Sequence, residues 1–241
     1  MTDNAITGPV DVLAIGAHPD DVELGCGGLL AMLARQGRRV VALDLTRGEM
    51  GSRGNADERT REAGEAARIL GIAGRDNAGL PDGGLANTTE QQRVIIPFIR
   101  KYRPAVILTL MAPDRHPDHA AAHALGRDAN YYSGLQRIET DQEPWRAPRI
   151  YYFHPYTEFA GAPPCVADIS DTFDVKIEAL KAYASQFHNP DYPGPATFIA
   201  SKEFWDGIET RARFWGARIG ALYGEPLYAD GPIPLKTLPG L

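Results

Sequence analysis

The sequence predicts an α/β fold, a single-domain Rossmann-like sandwich in which a mostly parallel sheet is flanked by helices. Short apolar runs rich in β-branched residues recur along the chain, and polar segments containing Gly or Pro follow them. Helical patterns separate these runs, and such alternation is typical of parallel sheets. The 241 residues suffice for one domain with a sizeable core. We expect this core over about 10–223, followed by a Pro-rich, mobile tail over 224–241.

The first three predicted elements form a βαβ unit. The apolar run Val10–Ala17 is a predicted strand that leads into a sharp His-Pro turn. Helical spacing over Leu29–Gln36 precedes Gly37, a typical helix C-cap, and Arg39–Thr46 is the next buried strand. Two strands joined in this way are parallel, and the crossover between them is right-handed.

The later elements continue the alternation. An amphipathic helix over Glu58–Leu70 ends at Gly71, and a helix over Thr89–Lys101 is kinked or divided at Pro97. The remaining predicted elements are the strand Ala105–Met111, the helix Pro117–Tyr131, the strands Ile150–Phe153 and Val166–Ile169, and the helices Thr172–Phe187 and Ser201–Ile219. No internal repeat or low-complexity linker interrupts them.

Composition and charge narrow the function classes. The formal net charge of −6 argues against generic binding of nucleic acid or of anionic membranes. Cys26 and Cys165 form no CxxC pair, which fits a reducing compartment. The segment Met1–Pro9 lacks the basic and apolar regions of a signal peptide, and no apolar run approaches the ~20 residues needed to span a bilayer. We therefore expect a soluble, cytoplasmic protein.

Two polar loops carry the candidate chemistry. His18–Asp21 (HPDD) follows the first predicted strand, and Asp114–His119 (DRHPDH) follows the strand Ala105–Met111. Ligands of open α/β sheets bind outside the carboxyl ends of the strands. We expect the histidines and carboxylates of both loops to meet at this sheet edge, because packing alone gives no reason for them.

The residue types in these loops suit a zinc centre. Zinc accepts imidazole nitrogen and carboxylate oxygen, and a catalytic site leaves one position open for water. If a helical turn starts at the His-Pro step, His18 and Asp21 face one side, and His119 supplies a third ligand. Asp20 is then suited to take a proton from water, and His116 to face the substrate. One Zn²⁺ per chain is expected, although Fe²⁺ accepts the same ligands.

Both motifs together resemble the LmbE/PIG-L superfamily of zinc-dependent N-acetylglucosaminyl deacetylases. The resemblance covers most of the chain, through the segments His18–Gly28, Leu43–Glu49, Arg59–Gly71, Leu80–Gly83, Asp114–His119, Tyr151–Phe159 and Asp168–Phe187. The last two segments are most similar to the bacillithiol-pathway branch, which deacetylates N-acetylglucosaminyl-malate. The resemblance implies an LmbE-like fold, a small N-acetylated amino sugar as substrate, and a homo-oligomer, with a hexamer among the expected forms.

The resemblance also implies roles for single residues. It assigns His18, Asp21 and His119 as zinc ligands, Asp20 as the general base and His116 as a transition-state partner. These are the roles that the residue types alone suggest.

Substrate contacts are expected from several basic side chains. The resemblance implies one from Arg59, which lies near the start of the helix after the second strand. Arg53 can bind an anionic substituent such as a malate carboxylate, and we also expect contacts from Arg115 and His154.

The group that polarises the amide carbonyl stays open. Some relatives place a Tyr late in the chain for this purpose, whereas Phe204 stands at the matching position here. Tyr152, His154 and Tyr192 are the candidates.

Two alternatives to the malate glycoside reaction stay open. The same chemistry can serve mycothiol-type conjugates, free N-acetylglucosamine, chitooligosaccharides or acylated antibiotics. A non-catalytic Rossmann-like module that binds a nucleotide or sugar is the other alternative. Asp20 argues against this module, because binding alone needs no carboxylate placed between two metal ligands.

Overall fold

The computed structural model describes residues 6, 8–156 and 161–234. Its strands are β1 (Val12–Gly16), β2 (Val40–Asp44), β3 (Gly74–Asn77), β4 (Val106–Leu110), β5 (Arg149–Phe153), β6 (Cys165–Asp168) and β7 (Gly224–Leu227). Its helices are α1 (Asp21–Arg35), α2 (Ala56–Leu70), α3 (Thr89–Tyr102), α4 (Pro117–Ser133), α5 (Phe173–Lys181) and α6 (Lys202–Ile219). The part of the segment Tyr151–Phe159 after Tyr156 lies outside the described residues, as do 235–241 of the predicted tail.

A five-stranded parallel sheet in the order β3-β2-β1-β4-β5 forms the centre of the fold. Strands β1 and β2 are buried along their whole length, as expected for strands covered on both faces. Helices α1, α2 and α5 pack together, and α3 packs against α4 as a separate group. The predicted α/β sandwich with a mostly parallel sheet is confirmed.

The strand order decides where the site lies. The chain runs from β1 outward through β2 and β3, then returns to add β4 on the other side of β1. The carboxyl ends of β1 and β4 therefore flank a topological switch point, the place where open α/β sheets bind ligands. The HPDD and HPDH loops follow these two strands directly.

Helix α1 starts eight residues earlier than predicted, at Asp21 instead of Leu29. Its first half contains Gly25, Gly27 and Gly28. Because glycine disfavours helices, the sequence of this half does not predict one. Close packing requires at least two of these glycines. A Cβ on Gly25 would lie 2.0 Å from Cδ2 of Phe153, and a Cβ on Gly28 would lie 2.7 Å from Cδ1 of Ile169.

A break at Cys26 divides α1, because its φ of −146° and ψ of 19° are not helical. In a regular helix the Gly28 amide would donate to the Leu24 carbonyl. Here the Glu225 carboxylate accepts from the Gly28 amide (3.0 Å), and the Lys176 ammonium donates to the Leu24 carbonyl (2.7 Å). Lys176 and Glu225 also pair with each other at 2.6 Å. One buried ion pair therefore supplies hydrogen-bond partners for the backbone groups that the break leaves free.

The prediction of a mobile tail from residue 224 is wrong for its first part. Strand β7 pairs antiparallel with β6, and Tyr228 forms an isolated bridge with Tyr152 of β5. Proline argues against a strand in sequence patterns, but Pro226 lies in a two-stranded ladder, where edge positions tolerate it. Glu225 is only 2% exposed, because its carboxylate serves the broken helix.

Three further elements differ from their predictions. Strand β3 was not predicted, since its sequence GRDN is short and polar, yet it pairs with β2 at the edge of the sheet. Helix α3 continues through Pro97 as one helix. Helix α5 ends at Lys181, six residues before the predicted Phe187.

Candidate metal centre and active site

Two loops bring three imidazole rings together. His18 lies between β1 and α1, His116 is the N-cap of α4, and His119 lies in the first turn of that helix. The ring centroids of His18 and His116 are 4.8 Å apart, and those of His116 and His119 are 4.7 Å apart. The rings meet because β1 and β4 are neighbours in the sheet, although about 100 residues separate them in sequence.

His18, Asp21 and His119 form a cluster suited to a metal ion. Each offers a ligand atom within 4.8 Å of the others, and all three side chains are largely buried. The Asp21 carboxylate joins the two rings: Oδ1 lies 3.2 Å from Nε2 of His119, and Oδ2 lies 3.5 Å from Nδ1 of His18. Two imidazoles and one carboxylate suit Zn²⁺ or Fe²⁺.

The outer nitrogen of each imidazole lies beside a further carboxylate. Nε2 of His18 lies 3.0 Å from Oδ1 of Asp82 and 3.4 Å from Oδ2 of Asp118. Nδ1 of His119 lies 3.1 Å from Oδ1 of Asp114. Metal-binding histidines typically have such an outer carboxylate, which fixes the tautomer and the ring orientation. The donor set and its surroundings therefore fit a metal centre.

Asp82 was not among the predicted site residues. It lies in the turn Leu80–Gly84, whose sequence carries no metal-ligand spacing. Asp118 is held by the backbone N–H groups of Gly83 (2.7 Å) and Leu85 (3.2 Å), so this segment positions both outer carboxylates at His18. Asp82 lies within the LPDG segment that resembles the family, and this resemblance could have identified it as a site residue.

The neighbouring carboxylates keep the imidazoles of His18 and His119 charged when no metal displaces their protons. Burial opposes the charge on His119, but Asp21 and Asp114 outweigh it and raise its pKa to about 9. Burial likewise opposes the charge on His18, whereas hydrogen bonds to Asp118, Asp21 and Asp82 raise its pKa well above the ordinary value. A metal ion must therefore compete with protons at this cluster.

Asp20 lies beside the cluster with a different environment. Its φ of 114° is left-handed, an uncommon conformation for Asp. Oδ2 of Asp20 pairs with Nη2 of Arg59 at 2.9 Å, and both side chains are buried. Burial raises the pKa of Asp20 to about 7, although Arg59 opposes this shift. The carboxyl can therefore exchange a proton near neutral pH.

His116 is a neutral imidazole near pH 7. Burial lowers its pKa, and the charges of His18 and His119 lower it further. Its Nδ1 accepts from the backbone N–H of Asp118 at 3.2 Å, so the ring proton resides on Nε2. The ring can therefore donate one hydrogen bond.

A cavity of about 260 Å³ opens over these residues. Its polar side is formed by the metal cluster with Asp20, Arg59 and His116, and its apolar side by Leu24, Met50, Pro155, Tyr156, Ile199 and Phe204. Arg115 also lines it, and its guanidinium carbon lies 4.4 Å from the ring centroid of Phe198 and 5.1 Å from that of Tyr156. Among the described residues, no carboxylate pairs with Arg115.

Arg53 does not line this cavity. Its Nε donates to the Ser185 carbonyl at 2.6 Å and its Nη1 to the Pro195 carbonyl at 3.1 Å. Arg53 is only 7% exposed, and its guanidinium joins two loops through these carbonyls. Sequence patterns do not reveal this burial, because its partners are backbone carbonyls more than 130 residues away.

The candidates for carbonyl polarisation are also outside the cavity lining. The Tyr152 hydroxyl bonds to Asp230, and the Tyr192 hydroxyl donates to Glu58 at 2.9 Å. His154 lines a neighbouring, smaller cavity of about 50 Å³. Phe204 does line the main cavity, where its ring offers no hydroxyl.

Comparison with known proteins identifies the family. Residues 13–130 match the PIG-L family, described as GlcNAc-PI de-N-acetylase. A diacetylchitobiose deacetylase of Thermococcus kodakarensis is 31% identical, over 89% of this chain and 80% of the relative. The chain belongs to the PIG-L deacetylase family. The matched region contains both polar loops, and thus every predicted metal ligand of this PIG-L protein.

Two further proteins extend the comparison beyond the matched region. A 1D-myo-inositol 2-acetamido-2-deoxy-alpha-D-glucopyranoside deacetylase of Saccharopolyspora erythraea is 28% identical, over 80% of this chain and 89% of the relative. The crystal structure of the conserved protein TT1542 from Thermus thermophilus superposes with a TM-score of 0.84 and 38% identity, covering 96% of this PIG-L protein and 99% of that chain. Within the described part of the chain, no helix is long and apolar enough to cross a membrane.

Proposed function

We propose that this PIG-L protein is a zinc-dependent hydrolase that removes the N-acetyl group from an N-acetylglucosaminide. One observation carries the proposal: the buried Asp20 carboxylate adjoins the cluster of His18, Asp21 and His119 inside a cavity of about 260 Å³. The names of two relatives support the substrate class, since both are deacetylases of acetamido sugars. We extend the same proposal to a homo-oligomer in the cytoplasm, which sedimentation of the purified protein and fractionation of cells would test.

His18, Asp21 and His119 would hold the zinc ion. When bound, zinc polarises an amide carbonyl and makes water more acidic. Asp20 takes a proton from the attacking water as the water oxygen bonds to the carbonyl carbon. Arg59 holds the Asp20 carboxylate in place through its ion pair, so the base needs no rearrangement.

Breakdown of the tetrahedral intermediate needs a proton on the leaving nitrogen. Asp20 can return the proton that it took, and its pKa of about 7 suits both directions of transfer. His116 faces the same cavity and donates a hydrogen bond from Nε2 to the developing oxyanion. Cleavage of the C–N bond then yields acetate and the free amino sugar.

N-Acetylglucosaminyl-malate is the substrate that we propose. Arg115 supports this choice, because it lines the cavity without a carboxylate partner among the described residues. Its two aromatic neighbours hold the guanidinium in position by cation–π contact. A planar guanidinium of this kind binds a carboxylate through two hydrogen bonds. Other N-acetylated sugars, including diacetylchitobiose, are the alternatives that the named relatives favour.

A panel of amide substrates tests the proposal. Zinc-loaded protein is offered N-acetylglucosaminyl-malate, N-acetylglucosamine and diacetylchitobiose, and the release of amine is followed. We expect preference for the malate glycoside, loss of activity on chelation and recovery with zinc. Preference for another sugar would keep the chemistry and reject the malate substrate. If no amine is released by protein holding one metal ion per chain, the proposed hydrolase activity is wrong.

Arg115→Met tests the anion contact separately. We expect KM for N-acetylglucosaminyl-malate to rise by about 10- to 100-fold, because a charge-assisted pair of hydrogen bonds is lost. KM for uncharged N-acetylglucosamine should hardly change. Arg146→Met is a matched control, because Arg146 also lies on an aromatic ring, 4.0 Å from the Tyr131 centroid, but does not line the cavity.

A further inference from the structure

Four buried polar atoms behind the metal cluster lack hydrogen bonds among the described residues. They are Nδ1 of His119, Oδ2 of Asp114, and both ring nitrogens of His154. Buried polar atoms are nearly always paired, so such a group needs an explanation. The Asp114 carboxylate lies between the two imidazoles and is close to Nδ1 of each.

The Asp114 carboxylate approaches both rings to within 4 Å. Nδ1 of His119 lies 3.1 Å from Oδ1 of Asp114, and Oδ2 of Asp114 lies 3.9 Å from Nδ1 of His154. Oδ1 of Asp114 also accepts from the backbone N–H of His116 at 2.8 Å, which fixes the carboxylate. A shift of His154 by about 1 Å would form its bond to Asp114 within normal N–H···O distances.

His154 is almost fully buried, beside Tyr228 and the smaller cavity of about 50 Å³. Its side chain is only 4% exposed, and its ring packs edge-on against Tyr228 at 5.3 Å between centroids. Tyr228 follows β7 directly and is bridged to Tyr152 of β5. The C-terminal segment therefore holds the imidazole behind Asp114 and away from the main cavity, which His154 does not line.

We propose that His154 is a positioning residue for the metal ligand His119 and acts through Asp114. This inference rests on the proposed metal site. The His154 ring donates from Nδ1 to Asp114 Oδ2, and Asp114 Oδ1 accepts from Nδ1 of His119. His119 is thereby held in the tautomer whose Nε2 lone pair faces Asp21 and the metal position. The expected contact of His154 with substrate is replaced by this role.

Zinc affinity is the property that tests the proposal, measured by competition with a chromophoric chelator. We expect His154→Phe, which keeps the ring and removes both nitrogens, to weaken zinc binding by about 10- to 100-fold. His154→Asn retains a donor near the position of Nδ1 and should restore most of the affinity. His123→Phe is the matched control, because His123 also packs on a Tyr ring (4.6 Å) but its Nδ1 bonds to the Leu110 carbonyl instead of a carboxylate.

A double-mutant cycle separates this role from a general loss of packing. If His154 acts through Asp114, then His154→Phe costs no further zinc affinity in an Asp114→Asn background. Additive losses, or unchanged affinity in His154→Phe, would overturn the proposal. Thermal unfolding of each metal-free variant identifies any protein that fails to fold. Absence of zinc binding by the unchanged protein would instead reject the proposed metal site itself.

Discussion

The guanidinium of Arg59 and the carboxylate of Asp20 form a buried ion pair, with Nη2 and Oδ2 2.9 Å apart. Arg59 also donates to the Pro19 carbonyl, so it holds both the backbone and the side chain of the HPDD loop. Its guanidinium reaches the main cavity as well. Arg59 therefore controls the charge of the proposed base, in addition to any contact that it makes with substrate.

Asp20→Asn should lower turnover sharply and leave zinc binding intact. The amide cannot take a proton from water, and loss of general-base catalysis lowers kcat by about 10²–10⁴-fold. Metal content, measured by elemental analysis, should stay at one ion per chain, because Asp20 is not in the ligand cluster. Asp57→Asn, at the exposed start of α2, is the control. Full activity of Asp20→Asn would exclude Asp20 as the base.

Arg59→Met should move the acid limb of the pH profile to higher pH. Burial raises the pKa of Asp20, and the Arg59 charge opposes that rise. Without this charge the pKa rises further, so a larger fraction of Asp20 is protonated and inactive as a base at neutral pH. The measurement is kcat/KM across pH values from about 5 to 9. Arg61→Met, on the exposed face of the same helix, should leave the profile unchanged; a shift of Arg59→Met toward lower pH would contradict the assignment.

Zinc affinity should fall as the pH is lowered. The pKa of His119 is about 9 and that of His18 is raised as well, so both rings hold protons at neutral pH. Zinc must displace these protons, and its apparent affinity changes by about tenfold per pH unit for each proton displaced. Calorimetry in buffers of different ionisation enthalpy counts the protons released. Affinity independent of pH below about 8 would contradict this linkage.

Glu225→Ala should strongly destabilise the fold. It leaves Lys176 charged, buried and unpaired, and removes the acceptor for the Gly28 amide at the break in α1. Breaking a buried pair in this way costs about 3–5 kcal/mol, which lowers the melting temperature by roughly 10 °C for a protein of this size.

The exposed pair Lys202–Asp206 supplies the control for that measurement. Its charged atoms are 2.6 Å apart, as in the buried pair, but both side chains are more than half exposed. Lys202→Ala should therefore change stability by less than about 1 kcal/mol. Equal melting temperatures of Glu225→Ala and Lys202→Ala would show that the buried pair does not support the broken helix.

Local sequence was sufficient to predict the α/β architecture and the three residues that meet in the candidate metal cluster. The strands β1, β2 and β4 are continuous apolar runs, so periodicity identifies them without knowledge of their neighbours. Parallel strands place their carboxyl ends at one edge, which brings His18 and Asp21 to His119 once the strand order is known. The ligand types are a property of the residues themselves.

Tertiary structure alone decided what surrounds that cluster. Asp82 reaches His18 from a turn, Arg53 is buried under distant carbonyls, and β7 pairs with β6 across almost 60 residues. No local sequence pattern predicts these contacts, because each depends on where the chain returns after a long connection. Burial then changes the chemistry: it raises the pKa of the Asp20 carboxyl to about 7 only inside the folded protein, although the charge of Arg59 opposes this rise.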